Sequence, residues 1–198
     1  MRGNSVVLAL LVASSALATL SNASAVDASS APATVSQRYE AKEHYRFNLG
    51  GPSGEYTDWE RQDLASFDGL ATKVQIDKTY GKPTDKWASL ARINLFGAGS
   101  EKDRRILSLM LQADRKSNRI QPAIYRSKDQ PQETFDVQFE VGKPIDVTIL
   151  PGTVGKLMFS LGGKTYEVPC DFEVKALSVL GSGVDVKFEP FNLLRRAP

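Results

Sequence analysis

Residues 135–191 alternate apolar and polar side chains in short runs that glycine-marked turns separate. In the first run the apolar positions are Phe135, Val137, Phe139 and Val141. A period of two places apolar side chains on one face of a strand and polar side chains on the other. The Gly162-Gly163 pair suits a two-residue hairpin turn. The segment therefore predicts antiparallel strands that each bury one face.

Strand-like runs also occur upstream and downstream of this segment. They cover residues 74–80, 87–96, 106–113, 119–125, 174–180 and 184–188. The last two runs, joined by a Gly-Ser-Gly turn, predict a final hairpin. Residues 36–46 suit either a short helix or an extended arm. Strands with turns about every 8–12 residues are typical of sandwiches. We therefore expect an all-β antiparallel sandwich over residues 46–198, with a short helical or extended N-terminal arm.

The N-terminal residues have the features of a secretory signal peptide. Arg2 provides a positive charge, an apolar stretch follows over residues 6–20, and Ala23-Ser24-Ala25 has the small-x-small form of a cleavage site. We expect residues 1–25 to be removed and residues 26–45, rich in Ala, Ser, Pro and Thr at their start, to form a flexible leader. The mature protein is then predicted to be exported, to the periplasm or outside the cell, without a membrane segment.

Charge and residue usage exclude several classes of function. The chain has 25 basic and 23 acidic residues, mixed along its length, whereas nucleic-acid binding requires a clustered basic face. Cys170 is the only cysteine, so no internal disulfide is expected, and we interpret it as a small buried residue. His44 is the only histidine, which leaves no material for a multi-His zinc site or a His-based triad. We predict no metal and no cofactor.

Three pieces of the chain together resemble a known superfamily. They are the strand pair at residues 139–149, the hairpin at 156–166 around Gly162-Gly163, and the closing strand at 179–188. Their order is similar to that in concanavalin A-like sandwiches, as found in galectins and in alginate-lyase-type polysaccharide lyases. The likeness covers roughly residues 87–191 and implies a jelly-roll sandwich that binds or processes carbohydrate.

The residues with which those families work are not retained. Galectins hold galactose with a His-x-Asn-x-Arg strand; here Met110 and Gln112 stand at the His and Asn positions, and Arg115 comes one residue late. The lyases use a Gln-x-His strand, whose counterpart here is Arg92-Ile93-Asn94. The resemblance therefore implies a fold and transfers no site residue.

Alternation along three strands nonetheless brings together a set of polar candidates. If these strands are neighbours, one outward, wet face carries Arg92, Asn94, Ser108, Gln112, Gln121 and Tyr125. Amides and a guanidinium form paired hydrogen bonds with sugar hydroxyls, and an aromatic ring covers an apolar sugar face. An ordinary solvated sheet face has the same pattern. We predict a non-catalytic, lectin-like module that binds a polysaccharide or glycan through this face. The predicted binding residues are Arg92, Asn94, Gln112, Gln121 and Tyr125, and Ser108 lies among them.

Two other functions remain open on sequence alone. A divergent polysaccharide lyase or glycosidase needs a Tyr or Lys base beside a residue such as Arg92 that neutralises a carboxylate. An adhesion domain would bind a protein partner through a sheet edge or the leader. Trp59 and Trp87 suit either exposed stacking platforms or the core, and the carboxylates of Glu133 and Glu167 are candidates to meet in space.

Overall fold

The computed structural model describes residues 39–52, 55–81, 88–100, 103–127, 130 and 132–197. The strands are β1 (Tyr39–Gly50), β2 (Tyr56–Arg61), β3 (Leu70–Thr79), β4 (Ser89–Phe96), β5 (Ile106–Asp114), β6 (Arg119–Tyr125), β7 (Glu133–Thr134), β8 (Phe139–Glu140), β9 (Ile145–Pro151), β10 (Lys156–Leu161), β11 (Lys164–Pro169), β12 (Ala176–Ser182) and β13 (Val184–Arg196). Among the described residues, no helix is long and apolar enough to cross a membrane.

The strands form two antiparallel sheets. The first sheet has the order β1-β13-β3-β9-β10-β11, and the second has the order β2-β12-β4-β5-β6-β7, with β8 also paired to β6. Alternate residues of the longer strands meet between the sheets in one apolar core, of which Leu70, Ile93, Phe159 and Val179 are almost completely buried. The predicted all-β antiparallel sandwich is confirmed.

Aromatic residues close the two open sides of the sandwich. On the side of the edge strands β1 and β2, the Trp59 ring lies 4.9 Å from that of Tyr45 and 4.7 Å from that of Phe47, centre to centre. On the opposite side, Phe135 lies 4.5 Å from Tyr166. Such contacts protect the core where no further strand covers it.

The N-terminal boundary of the sandwich differs from the prediction. Residues 39–45, assigned above to the flexible leader, form the first half of β1 and pair with β13. This result selects the extended form of the predicted arm over the helical one. The predicted signal peptide and the remainder of the leader lie outside the described residues.

The predicted strand over residues 135–141 is interrupted. Only its flanks, β7 and β8, pair with β6. The reason is Pro122, whose carbonyl accepts a hydrogen bond from the Phe135 amide but which has no N–H to donate in return. The Gln121 side chain supplies the donor instead, at 2.7 Å from the Phe135 carbonyl and 3.3 Å from that of Val137. Alternate burial of residues 135–141 is nevertheless kept.

The two glycine turns of the sequence behave differently. Gly162 and Gly163 have φ values of 55° and 91° and connect β10 to β11 as the predicted tight hairpin. The predicted final hairpin is wrong, because β12 pairs with β2 and β4 whereas β13 pairs with β1 and β3. Gly183, at φ 59°, is the residue at which the chain crosses from one sheet to the other.

Candidate functional site

The predicted site residues lie on the outward surface of the second sheet, which we call the Arg92 face. Strands β12, β4, β5 and β6 are successive neighbours there. Their registers form three outward rows, namely Leu180–Arg92–Met110–Ala123, Ser178–Asn94–Ser108–Tyr125 and Leu90–Gln112–Gln121. The sequence therefore placed Arg92, Asn94, Gln112, Gln121 and Tyr125 on one face correctly.

Arg92 is the half-buried centre of this face. Its guanidinium carbon lies 5.0 Å from the centre of the Tyr125 ring, and its Nη2 is 3.0 Å from the sulfur of Met110. The Nε atom is buried and has no hydrogen-bond partner in the described ranges. Burial lowers the pKa of Arg92, because removing the guanidinium from water disfavours its charged form.

The contacts of Arg92 differ from those of most other arginines in the protein. The arginines that form ion pairs with described carboxylates are Arg46, Arg61, Arg104, Arg105, Arg119, Arg126 and Arg195. Arg92 has no carboxylate partner among the described residues. Removing a charge from water without a counter-ion is costly. The Tyr125 ring and the Met110 thioether compensate that cost more weakly than a carboxylate would.

Asn94 is not a wet-face residue, contrary to the sequence prediction. It is 6% exposed, and its neighbours Ser108 and Ser178 are 0% and 3% exposed. The Ser108 hydroxyl donates to Asn94 Oδ1 at 2.7 Å, and Asn94 Nδ2 donates to Ser178 Oγ at 2.8 Å. The three side chains satisfy one another, so their role is to link strands β12, β4 and β5.

Gln121 is also engaged in structure. Its amide nitrogen donates to the backbone of the segment between β7 and β8, and its Oε1 accepts a hydrogen from Gln138 at 3.1 Å. The Gln112 side chain is exposed and forms no hydrogen bond with a described residue. The part of the predicted site that is available to a ligand is therefore Arg92, Gln112 and Tyr125.

Sequence reasoning missed two neighbours of Arg92. Met110 is 1% exposed yet lies outside the core cluster, because it forms the floor beneath the guanidinium. Leu180 lies beside Arg92 on β12. The outward position of Met110 was readable from the alternation along β5, but the neighbourhood of β12 and β4 was not, since some eighty residues separate them.

The remaining candidates have structural roles. Trp59 belongs to the aromatic cluster that closes one side of the sandwich, as the core interpretation predicts, while Trp87 lies outside the described residues. Glu133 pairs with Arg126, and Glu167 pairs with Lys156. In the described part of the chain, no group of three His, Cys, Asp or Glu side chains is placed to hold a metal ion.

Cys170 lines an open cleft of about 370 Å³ at one end of the sandwich. It is 8% exposed and free, in agreement with its interpretation as a small buried residue. Burial raises the pKa of its thiol. The cationic residues of the cleft already have partners: Arg104 pairs with Glu60, Arg105 pairs with Asp171, and Arg126 pairs with Glu133. The described residues that line the cleft therefore offer a ligand no unpaired cation.

Comparison with known proteins gives a fold. No protein-family model matches the sequence, and none of the curated proteins does. Among solved structures, the fructofuranosidase of Schwanniomyces occidentalis, complexed with fructose, superposes with a TM-score of 0.52 at 4% identity, over 79% of this chain and 34% of that chain. The fold is a concanavalin A-like β-sandwich.

Two smaller likenesses fall in the families named above. Chicken galectin 2 matches with a TM-score of 0.45 at 17% identity, over 69% of this chain and 97% of that chain. A polysaccharide lyase of family 18 matches with a TM-score of 0.46 at 7% identity, over 82% and 95% of the respective chains.

Proposed function

We propose that this protein binds a saccharide on the Arg92 face. The observation that carries the proposal is the half-buried guanidinium of Arg92, which has no carboxylate partner and whose Nε has no hydrogen-bond partner among the described residues. A polar group that is costly to bury and unsatisfied in a folded protein calls for an explanation, and a ligand that completes its hydrogen bonds is the one we infer here.

The surroundings of Arg92 suit a sugar. The Tyr125 ring offers an aromatic surface to the apolar face of a pyranose or furanose. Gln112, one row away, offers both an amide donor and an acceptor to hydroxyl groups. The fructofuranosidase with which this chain shares its fold is named as a complex with fructose, and we transfer the saccharide class to this chain as part of the proposal.

A glycan array followed by calorimetry tests this function. We expect at least one glycan to bind the mature protein and Tyr125→Ala to weaken that binding by at least tenfold, because the variant removes the stacking surface. Tyr39→Ala, on β1 of the other sheet, is the matched control and should bind like the wild type. An array without binding, or equal affinity of the two variants, would refute the proposal.

A second candidate is a polysaccharide lyase, and one contact favours it. The Arg92 guanidinium lies 5.0 Å from the centre of the Tyr125 ring, so a phenol that can act as a general base and a cation that can neutralise a carboxylate are neighbours. Incubation with acidic polysaccharides distinguishes this activity from binding alone. Unsaturated products that absorb in the ultraviolet, formed by the wild type and not by Tyr125→Phe, would establish the lyase.

We further propose that the protein acts after export. The support is the signal-like sequence of residues 1–25 described above. Expression of the full chain in a bacterial host, followed by N-terminal sequencing of the exported product, should give a chain that begins at Val26. A product that keeps Met1 and stays in the cytoplasm would contradict this.

A further inference from the structure

The charge of Arg92 indicates which kind of saccharide this protein binds. This inference rests on the saccharide binding proposed above. Each element packed around the guanidinium contributes a neutral or an already paired group. Leu180, Met110 and Ala123 share its row, and Tyr125 lies under it. None of these side chains carries a negative charge that would compensate the half-buried guanidinium.

The carboxylates nearest in the sheet are not available to Arg92. Asp58, on β2, lies beyond Leu180 in the same row and is exposed. Glu60, one row away on β2, holds Arg104 through two hydrogen bonds of 2.7 and 3.3 Å. Glu140, beside β6, pairs with Arg119. The positive charge of Arg92 is therefore uncompensated by the described residues.

In the described part of the chain, no oxygen atom accepts a hydrogen bond from the Arg92 side chain either. A guanidinium has five N–H donors in a planar fork. The recorded contacts of this fork are the Met110 sulfur, which is a weak acceptor, and the face of the Tyr125 ring. Neutral sugar hydroxyls would accept hydrogen bonds from the guanidinium but would leave its positive charge without a counter-ion. A carboxylate accepts two parallel hydrogen bonds and also neutralises the charge.

We propose that the saccharide is acidic and that Arg92 binds the carboxylate of a uronic acid residue. Tyr125 then stacks against the ring of that uronate or of its neighbour, and Gln112 hydrogen-bonds to a hydroxyl group. Sulfated glycans carry their charge on a tetrahedral group and are an alternative outcome of the test below.

The decisive comparison uses the wild-type protein. Calorimetry at fixed salt measures the binding of oligomers of galacturonate, glucuronate and mannuronate, each beside its carboxyl-reduced, neutral counterpart and a sulfated form of that neutral oligomer, all of equal length. We expect at least one uronate oligomer to bind at least tenfold more tightly than its reduced form. Because no variant is involved, this result does not depend on whether a mutant folds.

Variants then assign the carboxylate to its partner. Arg92→Met, which keeps an unbranched apolar chain over Met110, should bind the uronate oligomer at least tenfold more weakly than the wild type does. The affinity of Arg92→Lys should lie between those of Arg92→Met and the wild type. The control is Arg119→Gln, since Arg119 is an exposed arginine on the same sheet. It should bind like the wild type.

The possible failures are distinguishable. Equal binding of acidic and reduced oligomers would overturn the inference and leave the saccharide function standing. Binding of sulfated oligomers alone would overturn the assignment to a carboxylate. If neither acidic, sulfated nor neutral oligomers bind, both the inference and the proposed function fall.

Discussion

The guanidinium of Arg92, on β4, reaches diagonally across β5 to lie 5.0 Å from the centre of the Tyr125 ring on β6. A cation–π contact of this kind contributes about 0.5–2 kcal/mol. That is less than the cost of burying a charge without a counter-ion. The contact therefore orients the guanidinium without fully compensating it, and the folded protein retains a local instability at the position where we place the ligand.

The first prediction concerns two arginines with opposite surroundings, Arg92 on β4 and Arg104 in the segment between β4 and β5. Arg92→Met removes an unpaired charge, so the free energy of unfolding should stay unchanged or rise by about 1 kcal/mol. Arg104→Met leaves the Glu60 carboxylate without its bidentate partner, so the free energy of unfolding should fall by about 1–3 kcal/mol. The side chains of that pair are only 15% and 26% exposed, so solvent does not replace the lost contact fully. Urea unfolding at neutral pH measures both, and a larger loss for Arg92→Met would contradict our account.

The second prediction concerns the buried group of Asn94, Ser108 and Ser178. Asn94→Ala leaves two hydroxyl groups without partners and should lower the free energy of unfolding by about 1–3 kcal/mol. The triple variant Asn94→Leu, Ser108→Ala, Ser178→Ala should lose less free energy of unfolding than Asn94→Ala alone, because it leaves none of these polar groups unpaired. Saccharide affinity should not change in a folded variant of either kind. Denaturant unfolding tests the ranking, and a triple variant that is the less stable of the two would refute it.

How far the sequence predicted the site depends on the range of the contacts involved. Alternation within β4, β5 and β6 sufficed to assign Arg92, Asn94 and Gln112 to one face, because a residue's face is a local property of its strand. Exposure is not local. Asn94 is buried because Ser178 arrives from a strand far along the chain, and the missing counter-ion of Arg92 depends on every carboxylate that the fold brings near it.

The same distinction explains the errors in the fold. Tyr45, Phe47 and Leu49 do alternate toward the core, but charged residues on the outer side of β1 obscured the pattern. The break between β7 and β8 follows from the missing N–H of Pro122 and its replacement by the Gln121 side chain. A strand-by-strand interpretation of residues 135–141 had no means of including a partner on β6.

The third prediction separates backbone strain from steric overlap at two glycines with positive φ. A Cβ added to Gly142, at φ 84°, meets nothing within 4 Å, whereas one added to Gly69, at φ 138°, comes within 2.9 Å of the Ile149 carbonyl oxygen and 2.6 Å of Leu150 Cδ2. Gly142→Ala should therefore cost about 1–2 kcal/mol from strain alone. Gly69→Ala should cost about 1–3 kcal/mol more, because the carbonyl belongs to the sheet and cannot rotate away. Equal losses in thermal and urea unfolding would show that the overlap relaxes freely.

The fourth prediction is a dependence of stability on pH that originates at Glu60. The hydrogen bonds from Arg104 hold the pKa of the Glu60 carboxyl below its ordinary value of 4.5 in the folded protein. When the pH falls below that ordinary value, the unfolded chain binds a proton at Glu60 before the folded protein does. The stabilisation from Glu60 is thus complete above pH 4.5 and is lost as the pH falls through the lower, folded-state pKa.

Glu60→Gln removes this titration and makes the test specific. The free energy of unfolding, measured from about pH 6 to about pH 3, should decline less steeply in Glu60→Gln than in the wild type, since one carboxylate with a lowered pKa is gone. Arg104→Met should flatten the decline in the same way, because it removes the cause of the shift and leaves the carboxyl in place. If Glu60→Gln declines as steeply as the wild type while Arg104→Met does not, the pH dependence originates at another partner of Arg104, and the pairing of Glu60 with Arg104 contributes nothing to acid sensitivity.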